Sequence, residues 1–165
     1  MGVKRKADGN GTGPGVVDDV IHLDDFLPYQ LILAADRVSR MSAAVVKRHE
    51  GLNLSHWRVL AAVAEAPGRT ANEVVAVTPM DKGIVSRSVK TLIGEGLVER
   101  RASDSDGRLG HLYLTAKGRG AYDLIARDIR AMAAGMLGSL EAGEAEALQQ
   151  GLKRLLQALP ASERR

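Results

Sequence analysis

The chain has no cysteine, and only one Trp, one Phe and three Tyr stand among its 165 residues. Without a thiol there are no disulfides, no thiolate metal ligands and no sensing by cysteine oxidation, so any response to a signal has to come from ligand binding. Aromatics at 3% supply little bulk for a broad β-sandwich. Ala and Leu recurring at helical spacing point instead to closely packed helices, and the expected class is mainly α. No apolar run approaches the ~18 residues that span a bilayer, and no hydrophobic signal core follows the basic N-terminus; a cytoplasmic protein with no membrane partner is expected. Gly2 would suit N-myristoylation, but that motif wants Ser or Thr where Lys6 stands. His22, His49, His56 and His111 lack metal-ligand spacing, no glycine-rich phosphate loop follows a strand, and there is no G-x-S-x-G elbow. Neither a metal, a cofactor nor an enzyme is expected. The formal charge of +3 is compatible with nucleic acid and decides little by itself.

What is present is concentrated between Thr70 and Lys117. Thr70-Ala71-Asn72-Glu73 reads as a capping box, with the Thr70 hydroxyl on the N–H of Glu73 and the Glu73 carboxylate reaching back to the N–H of Thr70. The helix it starts ends at Thr78-Pro79, because proline disfavours the α conformation in the preceding residue and has no N–H to donate. A second helix, Asp81 to Glu95, turns Ile84, Val85, Val89 and Leu92 to a core and leaves Lys82, Ser86, Arg87 and Lys90 on the opposite face. Gly94-Glu95-Gly96-Leu97 reads as a glycine-terminated helix whose next apolar residue folds back. Val98-Glu99-Arg100-Arg101 and His111-Leu112-Tyr113-Leu114 are the strands of a hairpin, joined by Ala102 to Gly110, which is rich in Ser, Asp and Gly. Arg108 on that tip suits a narrow minor groove, with Asp106 holding its guanidinium.

Two short helices, a tight connection and a charged hairpin follow the order of a winged helix-turn-helix. Trp57-Arg58-Val59-Leu60, Met80-Asp81-Lys82-Gly83-Ile84-Val85-Ser86-Arg87, Gly96-Leu97-Val98-Glu99-Arg100 and Asp106-Gly107-Arg108, followed by Leu112-Tyr113-Leu114-Thr115-Ala116-Lys117-Gly118, together resemble the MarR (multiple antibiotic resistance regulator) family, over about Phe26 to Leu159. The resemblance implies a dimeric winged-helix transcription regulator, usually a repressor released from double-stranded DNA by a small ligand. Asn72, Lys82, Gly83, Ser86, Arg87, Lys90, Asp106 and Arg108 are the expected DNA-binding residues. Two features depart from the family: Gly107 and Leu109 flank a single basic residue at the wing tip, and Glu141 stands where a Ser or Thr usually caps the last helix.

Around this centre the chain divides into an arm over 1–17, a dimerisation helix within 18–50, the winged helix over 54–118 and C-terminal dimerisation helices over 119–160. The arm holds Lys4, Arg5 and Lys6 followed by Gly9, Gly11, Gly13 and Gly15, a composition that cannot bury enough apolar surface to order; it is either an auxiliary DNA contact or an inert tail. Leu27, Leu31, Ala34, Val38, Met41 and Val45 form one stripe of a long helix. Ile125, Ile129, Met132 and Met136, and then Leu148, Leu152, Leu155 and Leu159, repeat the pattern. A lone winged helix does not need these helices, so they are expected to pack with a second copy. Ser55 to Glu65 is a further helix with Ser55 as N-cap, Leu54 stapling onto Val59, and Trp57, Leu60, Ala61 and Ala64 on the buried face.

In the family it resembles, ligands bind where the dimerisation helices meet the winged helix. The candidates here are His22, Tyr29, Arg37, Arg40 and His56. Arg37 and Arg40 stand three apart and can reach one anionic group, although an Asp36 to Arg40 ion pair explains them equally well. The expected function is therefore a ligand-responsive regulator released from a pseudo-palindromic operator by a small organic anion, such as an aromatic acid or its coenzyme A thioester. The alternative is a winged-helix protein-interaction module without specific DNA binding.

Overall fold

The computed structural model describes residues 20–49, 51–102, 110–141 and 143–160. The elements in chain order are α1 (Leu27–Val46), α2 (Leu54–Glu65), α3 (Ala71–Val77), α4 (Lys82–Gly94), β1 (Val98–Ala102), β2 (Gly110–Leu114), α5 (Ala116–Leu137) and α6 (Glu144–Ala158). This is the expected mainly α winged helix: six helices and a two-stranded antiparallel sheet among the described residues. The chain divides into two units, Met1–Ala35 and Asp36–Arg165. In the first, the backbone turns at His22, whose carbonyl accepts the Asp25 N–H at 3.1 Å. The Gln30 side-chain amide donates to the Asp24 carbonyl, tying that turn to the first turn of α1. The 1–17 arm lies outside the described residues.

The core of the second unit is built on α2, which contacts α3, α4, α5 and β2. Val59, Leu60 and Val63 of α2 are fully buried against Val74, Val85, Leu92 and Leu112. Because α2 is surrounded on several sides, its buried arc is not the narrow stripe read from the sequence: Ala62 and Val63 replace Ala61 and Ala64, and Trp57 is only half-buried. Its start is also corrected. Asn53, not Ser55, is the N-cap; the Asn53 side chain accepts the His56 N–H at 3.0 Å, which moves the helix start to Leu54. Asn caps as well as Ser, and here it precedes a residue whose side chain can complete the box. The residue before the cap is thus Leu52, which packs on the core, and the Leu54 to Val59 staple does not apply.

The junction after α4 sets the wing. Gly96 takes φ +67, a left-handed conformation that favours glycine. Its N–H bonds the Ile93 carbonyl at 3.0 Å and the Leu97 N–H bonds the Leu92 carbonyl at 2.9 Å, the paired bonds of a Schellman cap. The chain then enters β1, which pairs with β2 in the register Val98↔Leu114 to Ala102↔Gly110. A third segment joins the sheet edge: the Gly68 N–H donates to Leu112 and the Leu112 N–H to Arg69, with a bridge between Thr70 and His111. The wing root is thereby sewn to the loop that leads into α3.

The long helices leave much of their apolar surface uncovered in the single chain. Of the stripe on α1 only Val45 is buried, with Leu31 and Val38 half-buried, and α6 has no buried residue. Leu156 is 71% exposed and Leu159 53%. The start of α6 carries no side-chain cap, since Gly143 occupies the N-cap position, consistent with the missing Ser or Thr near Glu141.

One contact gives a direct test of the junction. A Cβ built on Gly118 would lie 1.8 Å from the Leu97 carbonyl oxygen, a backbone atom, whereas one on Gly120 meets nothing within 4 Å. Gly118→Ala should destabilise the fold by ~1–3 kcal/mol through forced backbone displacement, while Gly120→Ala, on the same helix, should be neutral or stabilise it by up to ~1 kcal/mol. Urea unfolding of the two variants beside the parent checks both.

Candidate nucleic-acid interface

The two helices of the helix-turn-helix are each started by a side chain. Thr70 and Glu73 form the expected box: Glu73 Oε2 accepts the Thr70 N–H at 2.7 Å and its hydroxyl at 2.9 Å, and Thr70 Oγ1 accepts the Glu73 N–H at 3.3 Å. These hydrogen bonds from Thr70 hold the Glu73 carboxyl below its ordinary range, so the cap stays ionised. Thr78 Oγ1 donates to the Val74 carbonyl at 2.7 Å at the end of α3. Asp81 then caps α4, accepting the Ile84 N–H at 2.7 Å. The capped start exposes Lys82, Gly83, Ser86, Arg87 and Lys90, while Val85, Ser88, Val89 and Leu92 are buried. Asn72 is exposed on the first turn of α3. Gly83 makes room for its neighbours: a Cβ there would lie 3.2 Å from Asp81 Oδ1 and 3.4 Å from Arg87 Nη1.

Among the described residues, Lys82, Arg87 and Lys90 enter no ion pair, whereas Arg40, Arg69 and Arg101 are each held by a carboxylate. A run of unneutralised cations along one helix face can meet phosphates and base edges without first giving up a partner. On the wing, Arg101 Nε lies 3.0 Å from Glu99 Oε1 and its guanidinium stands 4.3 Å over the Tyr113 ring. His111 Nδ1 is 2.6 Å from the Gly68 carbonyl at the wing root. Sequence reading passed over the Arg101–Tyr113 and His111–Gly68 contacts, which join residues distant along the chain. Asp106 and Arg108 lie outside the described residues.

Residues 50–109 match the model of the MarR family. The regulator TtmR of Methylorubrum extorquens, described as an HTH-type transcriptional regulator, is 30% identical over 120 residues, 73% of this chain and 60% of that protein. Over its winged helix the chain matches the MarR family. A probable transcriptional regulator from Pseudomonas aeruginosa shares its fold with TM-score 0.71 at 28% identity, over 81% of this chain and 99% of that one. CouR from Rhodococcus jostii RHA1, solved bound to p-coumaroyl-CoA, is alike in fold, with TM-score 0.73 at 20% identity over 86% of this chain and 99% of that one. Against the curated relatives it matches, the chain spans between 39% and 60% of their length.

The expected effector residues fall in both units of the chain. His22 and Tyr29 belong to the first unit, in the turn before α1 and in its first turn. Arg40 Nη2 pairs with Asp36 Oδ2 at 2.6 Å across one helical turn, both side chains exposed, and Arg37 is exposed beside it. The ion pair accounts for Arg40. His56 is 8% exposed and serves α2 from within: its Nδ1 accepts the Asn53 N–H at 3.4 Å and its ring bonds the Gly51 carbonyl. No hydrogen bond or ion pair joins Arg37, Arg40 and His56. Among the described residues there is also no group of three His, Asp or Glu that could hold a metal, and no helix long and apolar enough to cross a membrane.

Sequence reasoning missed Arg58. It is half-buried on α2, its Nη2 is 3.5 Å from Ser39 Oγ, a long hydrogen bond, and burial lowers its pKa. It lines a cavity of about 400 Å3 with Trp57, Ala61, Val77 and Pro79. Trp57 stacks on Tyr122 of α5, ring centroids 5.5 Å apart. A partly desolvated guanidinium beside an indole is a ready partner for an aromatic anion. The signal was the Trp57-Arg58 dipeptide, which was read only for its apolar member.

The His56 cap makes stability depend on pH. Burial lowers the pKa of this imidazole in the folded chain, and Nδ1 can accept the Asn53 N–H only when unprotonated. Its contribution is therefore complete above the unfolded value of about 6.5 and is lost as pH falls through the folded value. His56→Gln keeps an N3 acceptor that does not titrate. The melting temperature of the parent should fall more steeply than that of His56→Gln between about pH 7.5 and 5, while a parallel fall in both would remove His56 as the cause.

Proposed function

We propose that the chain is a homodimeric, DNA-binding transcriptional regulator whose α4 enters the major groove, and that a small organic anion releases it. The observation that carries the reading is the exposed face of α4, where Lys82, Arg87 and Lys90 have no ion-pair partner among the described residues and Ser86 lies between them. Lys and Arg at such a face contact phosphates and guanine edges. Dimerisation by the helices within 18–50 and 119–160 is supported by the uncovered leucines of α6 and by Met41 and Ile32 on α1. Two copies related by a twofold axis would set their α4 helices into successive major grooves, about one helical turn apart, on a pseudo-palindromic operator. Asp106 and Arg108 are the wing residues proposed to reach the minor groove.

For the effector, we place the anion in the Arg58 cavity rather than at Arg37 and Arg40. Arg58 has lost part of its hydration and has one long hydrogen bond in return, whereas Arg40 is already paired. The p-coumaroyl-CoA held by CouR supports an aromatic acid or its coenzyme A thioester as the class. The cavity also touches Val77, Thr78 and Pro79, the segment between α3 and α4. A ligand that prefers a shifted position of this segment would tilt α4 away from its groove. A hundredfold loss of DNA affinity needs ~2.7 kcal/mol of such coupling, within the usual range.

Mobility shifts on DNA flanking the gene test both parts. Arg87→Ala and Lys90→Ala should each weaken binding, by about one unit of salt slope for a phosphate contact or ~1–3 kcal/mol at one base position for a base contact. Unchanged affinity in both variants would leave the protein-interaction reading in place. With p-coumarate or its coenzyme A thioester as probe, release should be lost in Arg58→Met and kept in the Arg37→Ala/Arg40→Ala double variant. The reverse pattern returns the effector to α1.

A further inference from the structure

A second cavity, of about 350 Å3, opens between the α1–α2 loop, the end of α4 and the start of α5. Its wall is apolar, with Leu52, Leu97, Leu124 and Ile125 contributing. Residues of opposite charge line it: Lys117, whose Nζ donates to the backbone carbonyl of Glu95 at 2.8 Å, and Glu95 itself. Neither is in an ion pair with another described residue. His49, also on the wall, is held by Asp128 at 3.3 Å.

We propose that this cavity binds a free apolar α-amino acid, with its carboxylate on Lys117, its ammonium on Glu95 and its side chain against the leucines. The charge pattern selects this class. A simple carboxylate would meet Lys117 but bring its charge beside Glu95, a simple amine would do the reverse, and a neutral hydrocarbon would strip water from both charges and pair neither. A zwitterion, with opposite charges on neighbouring atoms of one carbon, answers both at once. The volume lies in the range of small-molecule sites, and an apolar wall with a few polar groups is their usual make-up. Because the Lys117 bond ties α5 to the C-terminal end of α4, a ligand drawing that ammonium would act on the same helix that presents Arg87. The proposal does not depend on DNA binding or on the Arg58 cavity.

The test is NMR titration of the full-length, 15N-labelled protein with L-leucine, isocaproate and isoamylamine, which share a branched chain and differ in head group. L-leucine should shift the amides of Leu52, Leu97 and Ala121 saturably and bind about tenfold more tightly than either single-charge analogue, the worth of one charge-assisted hydrogen bond. Glu95→Gln, which keeps the backbone carbonyl and the α4 cap, should weaken L-leucine about tenfold and leave isocaproate as tight or tighter. Lys117→Met should weaken L-leucine and leave isoamylamine as tight or tighter, while Arg58→Met changes none of the three. Absence of a saturable shift with L-leucine, equal affinity for all three compounds, or L-leucine affinity unchanged in Glu95→Gln and Lys117→Met would each overturn the proposal.

Discussion

The backbone of Leu97 is the point through which the DNA-facing helix, the wing and the long α5 are tied together. Its N–H closes the Schellman cap on α4, its carbonyl accepts the Thr115 N–H at 3.1 Å, and Thr115 Oγ1 donates to the Gly96 carbonyl at 2.7 Å. Thr115 is in turn the N-cap of α5, accepting the Gly118 N–H at 3.0 Å. Three elements therefore share about two residues of chain, and glycine at 118 is required because the carbonyl of Leu97 occupies the space of a side chain. A joint this tight leaves α4 little freedom to rotate independently of the wing, since interiors at native density are bistable rather than continuously deformable. A ligand that moves α4 must move the wing root with it.

Around that joint, charge is divided by what holds it. Arg69 is anchored by Glu65 at 2.6 Å and by the Ala62 carbonyl at 2.6 Å, and it supports the loop that pairs with β2. Arg101 is held by Glu99 and Tyr113. These cations are structural: their guanidinium groups position neighbouring backbone or strands. Lys82, Arg87 and Lys90 have no such duty, and Arg58 has only a strained claim on Ser39. Solvation alone accounts for the exposed Lys82, Arg87 and Lys90 more readily than for the half-buried Arg58.

The local grammar of the fold was legible in the sequence. The Thr70 box, the Thr78-Pro79 stop, the Asp81 start and the Gly96 cap stand where short-range rules put them, because each depends on residues within five positions of one another, and both strands lie within one residue of their expected bounds. What was not legible depends on residues far apart. Ser55 reads as the cap from the sequence, and only the burial of the His56 ring beside Asn53 moves the cap to Asn53. Trp57 was assigned to the core because it falls on the helical stripe, and its neighbour Arg58 was ignored because a charged residue beside a stripe is normally solvated. Trp57 stacks on Tyr122, sixty-five positions later along the chain, and Arg58 reaches Ser39 on α1, pairings that no local pattern announces. His111 on Gly68 is the same kind of contact.

If the account is right, the two α4 helices of a dimer contact DNA on one face, and this is measured most directly by hydroxyl-radical footprinting on a fragment carrying the chain's own upstream region. The account predicts two protected patches centred about 10 bp apart on the same face of the duplex, lost together in Arg87→Ala/Lys90→Ala. A single patch, uniform protection along the fragment, or no protection at protein concentrations where the chain is dimeric would contradict it.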